Sequence, residues 1–471
     1  MSSLTSVRHA LQIGLDVQGF FSRQRQRHGN TFYVQVPGLK RVLFSSDPDH
    51  VADLFRFSSE VMSSSLPSPI QPLLGERSLI LVQGEDHRVE RRRLKPAFQG
   101  QCLLHYNRFI EDAIEASCDR LDRQVVAQAW MQDVTLDVIV RAVFGQEQDE
   151  DREAFADACR RLIGSYTAFL LLLPSARFRA WGLSPWDRFL AARNALDEKI
   201  YEALDRAIVR RGDDVIGRLA QDGTSTDLRD PAVRRAWRDR LTTLLLAGFE
   251  TTANTLAWCL YHLTQQPQWQ DRIAGSLGTA ENREELTRQA MRLPELDSFC
   301  KEVMRLHPVV PLVIRSVLSP VEWGGQSLSP GEYAGVATLN IHTDPDLFPR
   351  PLTFDPARFI GAKLKPHEYV PFGGGDKRCL GYGFALHEIK IILATILTKY
   401  RLELTAPVSP KPRIQGLALV PRPDIRLMLS PRTVPDAMAG EQHLKTPART
   451  QIDQSEPRRN QPVFRTGTTR R

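Results

Sequence analysis

Residues 372–381 read FGGGDKRCLG. Three glycines and two cations precede a single cysteine, Cys379, and the run LGYGFALHEIKIILATILTKY (380–400) carries on from it. Glycines let a backbone turn tightly and approach a flat ligand closely. The run reads as a helix that begins near Gly381, so the cysteine stands by a helix N-terminus. Backbone N–H groups and the helix dipole favour a thiolate there. Lys377 and Arg378 add positive charge, so every local influence visible in the sequence pushes Cys379 toward the thiolate. A thiolate is a soft ligand for iron or zinc. Zinc would need further ligands close by, and none stand there. A phosphate loop would read GxxxxGK[ST], which this stretch does not. A single axial thiolate on haem iron needs only one cysteine.

Three other stretches carry conflicts or charges that ask for a reason. RRAWRDRLTTLLLAGFETTANTLAWCLYHLTQQ (234–266) reads as one helix of about 30 residues, or about 45–50 Å, ended by Pro267. In its middle AGFETT (247–252) places Gly248 and two threonines inside an apolar helix. Such local conflicts often mark function. Glu250 beside Thr251 could pass protons to something lying against the helix. A helix kink with threonine hydroxyls bonded to carbonyls reads the same letters equally well. In ELDSFCKEVMRLHP (295–308), Glu302 and Arg305 share a helix face. FDPARF (354–359) offers Arg358 to the same carboxylate. HRVERRRLKPAF (87–98) reads as a basic amphipathic helix with His87 and Arg91 on one side. A solvated basic face is the plainer account of that charge run.

The whole chain sets outer limits. It has 471 residues and a net charge of +7. Residues 431–471 hold eight Lys/Arg and four Asp/Glu, so +4 of the +7 sits in that segment. Its polar, Pro-, Gln- and Arg-rich composition reads as a disordered tail after a folded unit of residues 1–430. The remaining charge is too small and too dispersed for a nucleic-acid protein. Six cysteines without a CxxC pair argue for a reducing compartment. The longest apolar stretch, AFLLLLP (168–174), is too short for a transmembrane anchor. A soluble, cytoplasmic and bacterial protein is the expectation. TFYVQV (31–36) and KRVLFS (40–45) flank Pro37-Gly38 as a hairpin, and VEWGGQSL (321–328) reads as another turn.

Taken in order, these motifs resemble the cytochrome P450 family over about residues 10–430. AGFETT resembles its oxygen-side motif, Glu302–Arg305 its ExxR pair, and FDPARF the segment that completes the ExxR triad with Arg358. FGGGDKRCLG resembles its haem-thiolate loop, with Phe372, Gly375, Cys379 and Gly381 at the family spacing. The resemblance implies a mainly α fold with small β-sheets and a long central helix over haem b. It implies Cys379 as the iron ligand and His87, Arg91, Arg315 and Lys377 as propionate partners. Lys377 departs from the family's usual Arg or His, and a lysine is a point charge without the guanidinium fork. Phe372 would tune the thiolate, Gly248 would leave room for oxygen and substrate, and Glu250 and Thr251 would deliver protons through water. Glu302, Arg305 and Arg358 would hold the core. The implied activity is a monooxygenase that inserts one atom of O2 into a lipophilic substrate. A separate ferredoxin or flavodoxin would supply electrons, steered by Arg88, Arg92, Arg93, Lys95 and Arg378. The apolar segments 62–84, 165–183 and 309–315 would line the pocket. A peroxide-using or isomerising haem-thiolate enzyme and a non-enzymatic haem sensor or carrier are the rivals. The intact Glu250–Thr251 pair and the lack of an output domain speak against them.

Overall fold

The computed structural model describes residues 2–432 except 37–38, 40, 65–67, 69, 146–148, 168–169, 171–176, 211–213, 222–229 and 416–417. The chain divides into two compact units, residues 1–431 and 432–471. The segment expected to be a disordered tail lies, from residue 433 on, outside the described residues.

The central helix runs Pro231–Gln265, 35 residues, or about 52 Å at 1.5 Å per residue. Asp230 starts it. Its carboxylate accepts from the Ala232 N–H at 2.7 Å, and Pro231 occupies the first helical position, where a missing N–H costs nothing. Gln266 stops it before Pro267, which opens the next helix, Pro267–Leu277. From Trp237 onward the helix is buried on nearly every side, as its apolar letters require. It packs along Ala127–Phe144, a mostly buried helix whose acids Asp133 and Asp137 face arginines on its outer side. The helices Gln101–Asp119, Pro294–Leu306 and Tyr382–Lys399 complete this core.

Among the described residues the strands are small and lie in four sheets. The largest joins β1 (Thr31–Gln35), β2 (Arg41–Ser45), β3 (Met62–Ser64), β5 (Leu312–Val317) and β8 (Tyr333–Ala337) in the order β1-β2-β8-β5-β3. The expected hairpin is there, with Thr31 opposite Ser45 and Gln35 opposite Arg41. The β6–β7 hairpin pairs Val321–Trp323 with Gln326–Leu328 around Gly324-Gly325. Both glycines have positive φ, 61° and 71°, the backbone a tight hairpin turn needs. β5 matters most here, because it carries Arg315. No helix among the described residues is long and apolar enough to cross a membrane.

Candidate active site

The loop before Tyr382–Lys399 folds on itself through three backbone bonds. Gly373 N–H donates to Val370 O at 3.0 Å, Arg378 N–H to Gly375 O at 3.1 Å, and Cys379 N–H to Phe372 O at 3.0 Å. Gly373 and Gly375 take positive φ of 65° and 63°, which a side chain resists. Two of the three glycines, Gly374 and Gly375, serve a neighbouring helix, while a Cβ on Gly373 would meet nothing within 4 Å. A Cβ on Gly374 would sit 2.2 Å from Phe55 Cδ2, and one on Gly375 only 2.1 Å from Phe55 O. Their bare backbone lets the helix Pro48–Arg56 press against the loop.

Cys379 has an accessible side chain, unlike Cys118, Cys159, Cys259 and Cys300, which are buried. Its surroundings are nevertheless mostly protein. Burial pushes its thiol up, and the Gly381 N–H, Arg91 and Arg378 pull it only partly back down. The expectation that every influence favours the thiolate is corrected here, because local letters do not show desolvation. Deprotonation is left to ligation, since a metal ion deprotonates a coordinating thiol outright. The Arg378 guanidinium lies 4.3 Å above the Tyr382 ring, and Phe372 stands 6.2 Å from the same ring.

Basic groups crowd beside the loop. His87, Arg315, Asp376 and Lys377 line one cleft together with Gln83, Gly84 and Gly374. The buried His87 Nε2 has no hydrogen-bond partner among the described residues. Burial, then Lys377 and Arg91, push His87 down to about 4. Burial takes Arg315 down to about 10, and its guanidinium donates to its neighbour's carbonyl, Ile314 O, at 3.2 Å. Arg91 is half-buried and also lowered by burial. Buried cations ordinarily have anionic partners, and among the described residues Asp376 is the only carboxylate lining this cleft. Two carboxylates of a haem would satisfy this set, so His87, Arg91, Arg315 and Cys379 fit the group. Lys377 does something else. Its Nζ donates to Val82 O at 2.5 Å, Leu79 O at 3.3 Å and Ile80 O at 3.5 Å. It ties the loop to the chain before the basic helix, Gly84–Leu94. The expected propionate cation is thus already engaged by three carbonyls, and burial lowers it to about 7.

The motif in the central helix opens a narrow window. Ala247 is exposed and Gly248, Glu250 and Thr251 are partly exposed, while 241–246 and 252–260 are buried. Thr251 and Thr252 hydroxyls donate back to Ala247 O and Gly248 O at 2.8 and 2.9 Å, the plainer reading of this patch. Each hydroxyl keeps its acceptor lone pairs. Gly248 does not leave room on the accessible side. A Cβ there would meet Ile139 Cδ1 at 2.7 Å, so its bareness admits the neighbouring helix. One turn away on that helix, Thr135 Oγ1 lies 3.1 Å from Phe249 O. Thr135 and Ile139 thus hold the motif from outside, and i, i+4 spacing alone did not mark them. Burial raises the Glu250 carboxyl to about 7.

Glu302 joins the two arginines as expected. Its Oε2 accepts from Arg305 Nε at 2.7 Å. Its Oε1 accepts from Arg305 Nη2 at 2.8 Å, Arg358 Nε at 3.1 Å and the Asp355 N–H at 2.8 Å. His342, which the sequence did not single out, carries this network onward. Its Nε2 accepts from the Val370 N–H at 2.9 Å, so Nδ1 holds the proton and donates to Arg305 O at 3.1 Å. Arg305 Nη1 in turn donates to His342 O at 2.6 Å. The chain of bonds therefore runs from Glu302 to the start of the cysteine loop.

Comparison with known proteins agrees with this geometry. The cytochrome P450 family profile matches residues 2–428. Cytochrome P450 138 of Mycobacterium tuberculosis is 32% identical over 422 residues, 86% of this chain and 90% of that protein. Cytochrome P450 135A1 of the same organism is 28% identical over 423 residues, 88% of this chain and 91% of the other. Among solved structures, a retinoic acid-bound cyanobacterial P450 aligns with a TM-score of 0.77 at 23% identity. That alignment covers 89% of this chain and 96% of the other. A cytochrome P450 haem domain aligns at 0.76 and 22%, covering 89% and 93%. The chain belongs to the cytochrome P450 family, with its fold. It is a haem-dependent monooxygenase that uses O2, an organic substrate and a redox partner.

Proposed function

We propose that the chain binds haem b through Cys379 and oxidises lipophilic molecules, with electrons from a separate ferredoxin or flavodoxin in a reducing cytoplasm. The crowding of His87, Arg91 and Arg315 beside an accessible cysteine carries this reading. Bound haem supplies the oxygen chemistry; the chain's residues hold it and manage protons. The lipophilic substrate is supported by accessible apolar side chains beside the site. Ile80, whose carbonyl lies 3.5 Å from Lys377 Nζ, is 40% exposed, and Val310, five residues before Arg315 in the chain, is 45% exposed. Much of the apolar segment 62–84 is core instead: Leu73, Leu74, Leu79, Leu81 and Val82 are buried, and part of 165–183 lies outside the described residues. The test is the absorption spectrum of the reduced protein under carbon monoxide, followed by oxygen-dependent turnover with a surrogate reductase. A Soret band at the position of histidine-ligated haem would overturn the assignment of Cys379.

Glu250 is the proton carrier in this reading, with the Thr251 hydroxyl, one residue on, offering acceptor lone pairs beside it. A carboxyl held near 7 is matched to its task at neutral pH. Turnover should fall as pH rises through about 7 and the protonated form is lost. Glu250→Gln should remove that limb and lower kcat by roughly 10²–10⁴. The same shift makes the fold lose stability as pH rises from the unfolded value toward about 7. The Gln variant should therefore unfold at a higher temperature than the parent above that pH. A pH–rate profile and thermal melts check both.

The basic surface offered to a redox partner is thinner than expected. Arg93 pairs with Glu90 at 3.4 Å, and the same carboxylate takes Arg240 at 2.5 and 2.6 Å. Arg88 pairs with Glu85 at 2.9 Å. Arg92 and Lys95 are exposed. Arg92→Glu should slow electron transfer at low salt, and the difference should shrink as salt screens it. Stopped-flow reduction across a salt series reads this. Arg93→Glu should instead destabilise the fold, by setting like charges against Glu90.

A further inference from the structure

A threonine on a neighbouring helix reaches the backbone directly before Glu250 and Thr251. Thr135 is buried in Ala127–Phe144. Its Oγ1 lies 2.8 Å from Met131 O, one turn back on its own helix, and 3.1 Å from Phe249 O on the central helix. A hydroxyl has one hydrogen to give, and this one stands between two carbonyls. Met131 O alone would satisfy it, so burial of the side chain does not require the approach to Phe249. Nor is Phe249 O short of a donor, since a continuous helix pairs it with the N–H four residues on. The link between the two helices is therefore an extra bond, which the fold alone does not demand.

Its place is specific. Ala247, Glu250 and Thr251 stand at i, i+3 and i+4 and share the accessible face of the central helix. The backbone between them is gripped from the other side. Phe249 is buried, and a Cβ on Gly248 would meet Ile139 Cδ1 at 2.7 Å and Cγ1 at 2.9 Å. Thr135 and Ile139 are themselves i and i+4, so one face of Ala127–Phe144 holds two consecutive residues just before the pair. Three successive carbonyls here each take a hydroxyl. Ala247 O takes that of Thr251 at 2.8 Å, Gly248 O that of Thr252 at 2.9 Å, and Phe249 O that of Thr135. Hydroxyls bonded back to helix carbonyls can bend a helix. Thr251 and Thr252 move with the central helix, whereas Thr135 is anchored outside it and can fix how the segment lies. We propose that Thr135 is a positioning residue for Glu250 and Thr251: its hydroxyl holds the Phe249 carbonyl and so keeps both side chains set to pass protons from the accessible face. This role rests on the reading of Glu250 and Thr251 as proton carriers. With the grip lost, O2 that has taken two electrons from the redox partner leaves with two protons as hydrogen peroxide.

The test uses the full-length holoenzyme with a surrogate reductase and O2 alone as the probe. Without an organic substrate, O2 goes to water with four electrons and four protons, or to peroxide with two and two. The ratio of water to peroxide therefore reads proton delivery, while total O2 consumption reads electron supply. Thr135→Val keeps the shape and removes the hydroxyl. It should lower that ratio by about two- to tenfold, the worth of one hydrogen bond, and leave the rate of O2 consumption near the parent's. Thr135→Ala should agree with it, and Thr135→Ser should restore the parent ratio. Thr398→Val, which takes a hydroxyl from Ala394 O in Tyr382–Lys399, should match the parent. In the apo-protein, amide exchange at 249–253 should rise in Thr135→Val and return in Thr135→Ser. The haem spectrum and thermal melt confirm that each variant is loaded and folded. A parent-like ratio in Thr135→Val, with Glu250→Gln shifted toward peroxide, would reject Thr135 and leave the proton carrier standing. A parent-like ratio in Glu250→Gln, or a parent that makes peroxide alone, would reject the carrier and this role with it. Equal shifts in Thr135→Val and Thr135→Ser would assign the effect to packing and likewise overturn the proposal.

Discussion

Cys379→Ser removes the red-shifted band of the reduced, carbon monoxide-treated protein and abolishes oxygen-dependent turnover. The expectation rests on position. Among the described cysteines, Cys379 alone is exposed, and the Gly381 N–H, Arg91 and Arg378 act on its thiol. Serine keeps the size of the side chain but offers a hydroxyl that does not ionise there. The loss of haem affinity should exceed the roughly 10–100-fold that outer partners of a metal site cost. The apo-protein should change far less, because serine keeps the side chain's size and Cys379 lies at an exposed position; its unfolding free energy should change by about 0.5 kcal/mol or less. The holo-protein should lose the stabilisation that a bound group confers by mass action. Comparing apo and holo melts therefore separates a missing ligand from a damaged fold. There is a pH corollary. Burial raises the thiol above its ordinary value, so loading haem must release a proton from Cys379. Apparent haem affinity of the apo-parent should rise with pH, and this slope should vanish in Cys379→Ser. Haem titrations at several pH values measure it.

The parts of this site that could be read from letters are those set by nearby residues. The central helix was legible from its long apolar run and from Pro267, which follows its end, although its start at Asp230 and Pro231 was not read. The Glu302–Arg305 pair was legible because i, i+3 spacing puts both on one helix face. The thiol's state was not legible. Its neighbours in sequence are glycine and cations, but its largest influence is burial by residues far along the chain. The same holds for the glycines. Gly374 and Gly375 announced close approach and Gly248 free space, but the letters could not say what stands against them. The answers are Ile139 and Phe55, more than 100 and 300 residues away. Lys377 was read as a cation for an anion, because sequence shows charge and hides carbonyls. Its partners at Leu79, Ile80 and Val82 are backbone oxygens, which every residue carries and no letter distinguishes. His342 was missed for a related reason. It works through two backbone groups, Arg305 O and Val370 N–H.

Glu302→Ala should be the most damaging single change to stability. Glu302 and Arg305 are both 0% exposed. Deleting the carboxylate leaves a buried guanidinium uncompensated, together with the Arg358 Nε and Asp355 N–H donors that pointed at Oε1. Removing one partner of a buried pair costs about 3–5 kcal/mol, a large share of the roughly 5–15 kcal/mol that holds a folded chain. Glu302→Gln should cost less but not little. The amide oxygen can replace Oε1, which takes three of the four bonds, yet the NH2 group then faces Arg305 Nε as donor against donor. Replacing both Glu302 and Arg305 by leucine should not restore the parent. Arg305 also donates to His342 O and Pro351 O at 2.6 and 2.7 Å, and those carbonyls would be left bare. The damage should also travel. Arg305 O orients His342, and His342 Nε2 holds the Val370 N–H, two residues before Phe372. Hydrogen exchange should therefore rise at 370–379 in Glu302→Gln, even where the global fold survives. Urea unfolding with exchange mapped along the chain decides the matter. If stability falls while exchange at 370–379 stays at the parent level, the network holds the core but does not position the loop.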